Sequence, residues 1–175
     1  MVDSADQAAT PGPAMADAPT DHATDHAQVL VRPPLLWFLV AGIGWGLKYW
    51  VALPFVPADW PNRWIGAALF VAGGGLALWA FKQFREFRAD VDTHTATTHI
   101  VSSGPFAQSR NPIYLSMLVS LVGVAVAVNS AWILIGLLAW YPLIRWGVIG
   151  REEAYLERKF GDEYLSYKAR VRRWI

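Results

Sequence analysis

Four apolar stretches, at about 34–53, 64–81, 112–129 and 131–149, set the limits on what this chain can fold into. Each is about 18 to 20 residues long, and a helix of that length, at ~1.5 Å per residue, crosses a hydrocarbon core of ~30 Å. The expectation is an all-α, polytopic membrane protein with about four transmembrane helices. Lys48 falls inside the first stretch, but near its end, where a long cationic side chain can snorkel to the interface. The tryptophans agree: Trp37, Trp45, Trp50, Trp60, Trp64, Trp79, Trp132, Trp140 and Trp146 lie mostly near the proposed span ends, as interfacial aromatics do. A composition of 54% hydrophobic and 17% charged residues lies outside the usual soluble range.

Charge then orients the spans. Lys82, Arg85, Arg88 and Arg110 lie at or between the second and third stretches, and seven more bases follow Arg145, whereas the other two connections hold only Arg63. Positive charge stays inside, so both termini and the long central loop are expected in the cytoplasm, in a bacterial inner membrane. The basic tail reads as an anchor on anionic lipid, and the absence of a basic domain argues against a nucleic-acid partner. Residues 1–28 carry five aspartates and no Lys or Arg, lack apolar periodicity, and read as a disordered tail rather than a signal peptide. The remainder, 29–175, reads as one domain with a catalytic core at about 99–175. No cysteine is present, so disulfides, thiolate nucleophiles and cysteine metal sites are excluded. His22 and His26 have a spacing compatible with a metal, but in an acidic tail they read as a fortuitous pair, and no metal is expected.

The glycine clusters at 42–46 and 73–75 lie inside apolar stretches with no preceding strand, so they read as sites of close helix approach rather than a dinucleotide loop. Chemistry gathers elsewhere. The 26-residue connection from Arg85 to Arg110 is longer than a tight link needs, and it ends in Gly104-Pro105-Phe106 and Ser109-Arg110-Asn111-Pro112. Asn111 is a good N-cap and Pro112 a good first helical residue. A helix N-terminus beside Arg110 also suits a carboxylate. The third and fourth stretches meet at Asn129-Ser130, a tight hairpin, so the far end of the fourth returns to the same side. Arg145 sits there, seven residues before Glu152 and therefore expected on its face. Glu152 and Glu153 head an amphipathic stripe of Leu156, Phe160, Tyr164, Tyr167 and Val171, with a bend expected at Gly161-Asp162. A pocket at the base of this hairpin offers Arg110 to a carboxylate, acids to an ammonium or sulfonium, and the aromatic walls Tyr114 and Tyr155 to a cation or an adenine ring. S-adenosyl-L-methionine carries all of these groups.

These residues resemble the integral-membrane methyltransferases that include isoprenylcysteine carboxyl methyltransferase and the phospholipid N-methyltransferases. The shared pattern is read here in Gly104-Pro105-Phe106, Arg110-Asn111-Pro112 with Tyr114, Glu152-Glu153 with Leu156, then Phe160-Gly161, Tyr164 and Tyr167. It covers about 70 residues, in order and at the family's separations. The resemblance implies that the hairpin, the preceding loop and the C-terminal helices enclose S-adenosyl-L-methionine from the cytoplasmic side. It implies methyl transfer to a lipophilic acceptor reached laterally from the bilayer. It implies cofactor-binding roles for His99, Gly104, Pro105, Arg110, Asn111, Pro112, Tyr114, Glu152 and Glu153; Arg145, from its position at the end of the fourth stretch, is expected with Glu152 at the reaction zone. Departures are Asn111 where the best-known members have His, and Ala107-Gln108 where Arg and an aromatic are common. The acceptor is left open among carboxylate, thiol and amine. Two other classes stand beside this one: a non-catalytic membrane adaptor, and an NADPH-dependent reductase on a related helical core.

Overall fold

The computed structural model describes residues 32–90 and 100–175, so the expectations for the 1–28 tail and for His99 lie outside the described residues. Among these, all regular structure is helical. α1 (Pro33–Leu47), α2 (Asn62–Asp90), α3 (Pro112–Val128) and α4 (Ala131–Ile144) carry most of the apolar surface. A five-residue π-helical segment, Arg145–Ile149, joins α4 without a break to α5 (Gly150–Phe160), and α6 (Asp162–Arg170) follows the bend at Gly161. That glycine sits at φ 50°, where it ends α5 at little steric cost.

Two of these helices are long and apolar enough to cross a membrane: 26 residues over Asn62–Phe87 and 30 over Ala131–Phe160. Only 17% and 33% of their most apolar windows are buried within the protein, so these windows present most of their surface outward. Leu35, Phe38, Ile43, Trp64, Val71 and Leu78 extend that apolar exterior over α1 and α2. α1, with 15 residues, spans about 22 Å and α3, with 17, about 25 Å, both short of a ~30 Å core. The described residues thus contain two helices of spanning length and two shorter apolar ones.

α1 stops at Leu47, whereas the apolar run continues to Leu53. The reason is tertiary. The main chain after α1 is captured by the start of α4: Ala131 N donates to Leu53 O at 2.9 Å and Trp132 Nε1 to Val51 O at 2.8 Å. The hairpin tip completes this knot. Asn129 adopts the left-handed conformation (φ 49°), which Asn tolerates better than most residues. Its Oδ1 accepts from Phe55 N and Val56 N, and its Nδ2 donates to Val56 O, each at 2.9 Å. Ser130 Oγ donates to Gly44 O at 2.8 Å, and Lys48 Nζ, instead of reaching only for solvent, donates to Val128 O at the end of α3.

α2 lies against α3 through missing side chains. A Cβ placed on Gly66 would stand 2.3 Å from Ala127 N, and one on Gly123 would stand 2.6 Å from Phe70 N, so the two backbones touch directly. Gly73 makes a similar approach to Ser116 O, whereas Gly74 and Gly75 face open space. The buried core is Leu121, Ala125, Ile133, Leu137, Trp140, Ile144, Val148 and Ile149, which follows the α3–α4 hairpin down to the π segment. That rigid stem delivers both ends of the hairpin to one place.

Candidate functional site

The polar residues begin just before α3. Gly104, at φ 58°, opens a 3₁₀ turn over Gly104–Ala107, with Pro105 buried beneath it. Tyr167 of α6 holds this turn by donating to Phe106 O at 2.7 Å. Asn111 occupies the N-cap position of α3 and Pro112 the first turn, but the Asn111 side chain does not cap its own helix. Its Nδ2 donates instead to Arg173 O at 3.2 Å. Ser109 Oγ, also buried, accepts from Asn111 N at 3.2 Å and donates to Arg173 O at 3.3 Å, while Arg110 N donates to Arg172 O at 3.0 Å. Residues 109–111 are therefore strapped by the segment that follows α6.

The strap delivers a second guanidinium to Glu153. This carboxylate is 6% exposed and lies on the first turn of α5. Arg173 Nε donates to its Oε1 at 2.9 Å and Arg173 Nη2 to its Oε2, a bidentate fork. Arg110 Nη1 stands 3.3 Å from the same Oε1, and the Tyr164 phenol lies within electrostatic range of the Arg110 guanidinium. Burial pushes the Tyr164 phenol up to about 12, with the charge of Glu153 acting in the same direction and Arg110 opposing it. Tyr167 is likewise raised, first by burial and then by Tyr164 beside it. Despite this company, Arg110 Nε and Nη1 are buried and have no hydrogen-bond acceptor; the contact of Nη1 with Glu153 has ion-pair distance without hydrogen-bond geometry. A buried donor left so costs about 1–3 kcal/mol.

Glu152 points elsewhere. Tyr114, on the first turn of α3, donates its hydroxyl to Glu152 Oε1 at 2.7 Å. The expectation that Arg145 shares a face with Glu152 is corrected by the π segment. A π turn closes i→i+5 and so holds roughly one residue more than an α turn, which rotates everything beyond it. Arg145 accordingly comes within electrostatic range of Glu153, eight residues on, and its guanidinium stands 6.0 Å from the ring centroid of Trp146. The structure thus brings together Arg110, Asn111, Pro112, Tyr114, Glu152 and Glu153, with Arg145 nearby and Gly104 and Pro105 supporting from the 3₁₀ turn. Ser109 and Arg173 belong to the cluster and are not singled out by the sequence. Among the described residues, no three His, Asp or Glu side chains form a group that could hold a metal ion.

A helical membrane scaffold with an Arg–Glu cluster at the base of an apolar hairpin is the setting that the motifs anticipate, and comparison with known proteins names it. The chain belongs to the phospholipid methyltransferase family, which it matches over residues 61–163, from the start of α2 into α6. It is 41% identical over 63 residues to an uncharacterized protein of Haemophilus influenzae, covering 36% of this chain and all of that one. It is 28% identical over 121 residues to the nickel-cobalt-cadmium resistance protein NccN of Alcaligenes xylosoxydans xylosoxydans, covering 69% of this chain. The chain spans 56% of the length of that second relative. No solved structure matches the chain.

Proposed function

We propose that the protein transfers a methyl group from S-adenosyl-L-methionine to a lipophilic acceptor at the cytoplasmic face of the membrane. The observation that carries this reading is Arg110: two of its buried N–H donors lack an acceptor, within the stretch that matches the family. A free carboxylate fits there, because the guanidinium fork matches two oxygens in one plane and the start of α3 adds its positive dipole end. Asn111 and Pro112 shape that helix start, Tyr114 forms the adjoining wall, and Gly104 and Pro105 hold the turn beneath it. His99 remains a proposed contact from the resemblance alone. Glu152, held by Tyr114, offers the negative charge that an ammonium or sulfonium needs. Glu153 keeps Arg110 in place.

The bound cofactor would supply an electrophilic methyl group on sulfur. What the chain contributes is position and exclusion of water, since transfer to a carboxylate or thiolate neutralises charge and needs no base. For an amine acceptor, Glu152 is the base within reach of the same wall, and Arg145 lies nearly two turns up the helix toward the bilayer. The shorter α1 and α3 are read as crossing the membrane together with the two longer helices, which places both termini on the cytoplasmic side. The adaptor reading leaves two buried N–H groups of Arg110 without an acceptor, and the reductase reading lacks any dinucleotide motif.

Calorimetry on purified protein in detergent tests the proposal with S-adenosyl-L-methionine, its demethylated product and NADPH as separate titrants. The wild type is expected to bind the first two. Arg110→Lys preserves the charge facing Glu153 but removes the fork, and should weaken binding at least about tenfold, or ~1.4 kcal/mol. Arg158→Ala, exposed on α5, should change nothing. Binding of NADPH alone would overturn the assignment.

A further inference from the structure

Arg110 and Glu153 stand near enough to close on each other, and they do not. Arg110 Nη1 is 3.3 Å from Glu153 Oε1, yet neither Nη1 nor Nε of that guanidinium has an acceptor. Both side chains are buried, at 9% and 8% exposure, so competing water is not what keeps them from bonding. A buried guanidinium beside a buried carboxylate gains most from the bidentate pair, because charge-assisted bonds are strong where little water competes. What withholds the pair here is Arg173. Its Nε donates to Glu153 Oε1 at 2.9 Å and its Nη2 donates to Oε2, so it has taken both oxygens. A two-point contact fixes the plane of a carboxylate as a single bond does not.

The backbone around Arg173 is tied to the same motif. Its carbonyl accepts from Ser109 Oγ at 3.3 Å and from Asn111 Nδ2 at 3.2 Å, and the carbonyl of Arg172 accepts from Arg110 N at 3.0 Å. The main chain of Arg110 and the carboxylate of Glu153 are thus both held by residues 172–173. The direct contacts also leave one positive charge over, since two guanidinium groups meet one carboxylate, while the nearby Lys168 is paired with Glu157. Without Arg173 both conditions would change together. Glu153 could turn its oxygens to Arg110, and the pair so formed would be neutral and closed to ligand. We infer that Arg173 is a positioning residue: by holding Glu153 it keeps the Arg110 fork open for an incoming carboxylate. The identity of that carboxylate rests on the methyltransferase reading; the arrangement of the three side chains does not.

Decarboxylated S-adenosyl-L-methionine lacks only the carboxylate, and so isolates what Arg110 contributes. In calorimetry on the detergent-purified protein, wild type should bind the intact cofactor more tightly than the decarboxylated one. Arg173→Ala should lose at least about tenfold for the intact cofactor, ~1.4 kcal/mol, and stay within about threefold of wild type for the decarboxylated one. Adding Glu153→Gln to that variant removes the competing charge and should restore most of the lost affinity, the reverse of what a second loosening of the fold would do. Equal loss for both ligands, or further loss in the double variant, overturns the inference and leaves Arg173 a stabilising contact only. Heteronuclear NMR spectra of arginine-labelled, ligand-free protein give a readout that needs no cofactor. In wild type the Arg173 Nε–H bonds a carboxylate, so its proton should lie downfield of that of Arg110. In Arg173→Ala the downfield shift should pass to Arg110, whose signal Arg110→Lys identifies. An Arg110 signal that does not move overturns the inference as well. A signal that moves in a protein binding neither ligand upholds the positioning role and defeats the cofactor assignment.

Discussion

Removing the carboxylate of Glu153 is the perturbation whose size the structure predicts best. Its side chain is 8% exposed, and it faces Arg110 at 9% and Arg173 at 24%. Alanine at this position leaves two guanidinium groups close together with no counter-charge, one of them almost fully buried. Breaking a buried pair from one side costs about 3–5 kcal/mol, because the remaining charge stays desolvated. For a chain of this size ~1 kcal/mol corresponds to about 2–4 °C, so Glu153→Ala should lower the melting temperature by about 6–20 °C. Arg173→Ala should cost less, about 2–3 kcal/mol, because Glu153 keeps Arg110 and the lost fork is partly open to water. The double variant should be milder than the sum of the two by about 1–3 kcal/mol, the signature of a direct pair. Circular dichroism melts in detergent at low and high salt read all three. A Glu153→Ala protein melting within about 4 °C of wild type, or strict additivity, would refute the view that this carboxylate holds the site together.

Three other outcomes follow from particular contacts. Gly66→Leu should fail to fold or lose more than about 3 kcal/mol, since its Cβ would stand 2.3 Å from Ala127 N, whereas Gly42→Leu, with nothing within 4 Å, should melt as wild type does. The Tyr164 phenol, at about 12 in the fold against 10.0 for the free side chain, makes the fold favour the protonated form. Its contribution to stability is complete below pH 10 and fades as the pH rises toward 12; tyrosinate absorbance should show one phenol fewer titrating near pH 12 in Tyr164→Phe than in wild type. For topology, cysteines introduced at Ser103, Asp59 and Ser166 exploit the cysteine-free background, and the exposed Asp59 spares Asn129, whose amide ties down the neighbouring loop. Impermeant maleimide on intact cells should label position 59 alone.

Much of this architecture is legible from the residues. The α3–α4 hairpin, the helix start at Asn111-Pro112 and the break at Gly161 are local events, written in runs of apolar residues and in turn chemistry. The meeting of Arg110 with Glu153 follows from the hairpin, which brings distant segments back to one side. What escapes is what depends on long-range pairing. Arg173 sits in a basic tail and reads as a lipid anchor, because its partner Glu153 lies 20 residues away across a bend that no spacing rule encodes. The stop of α1 at Leu47 escapes as well, since the apolar run continues and only capture by α4 ends it. Asn111 looks like a cap and serves as a tie to the strap, a choice made by the carbonyl of Arg173 rather than by its own helix.

The π segment Arg145–Ile149 carries a consequence for how this family can vary. It sets the rotational phase between a helix that answers to the bilayer and a helix that answers to the polar cluster. Substitutions within it change side chains and leave that phase intact. Loss or gain of a single residue turns α5 by about 100°, one residue's share of an α turn, and swings both Glu152 and Glu153 away from their partners. Among homologues this stretch should therefore hold a fixed count of residues even where an exposed position such as Trp146 varies, so that its length is read by selection alongside the buried Val148 and Ile149.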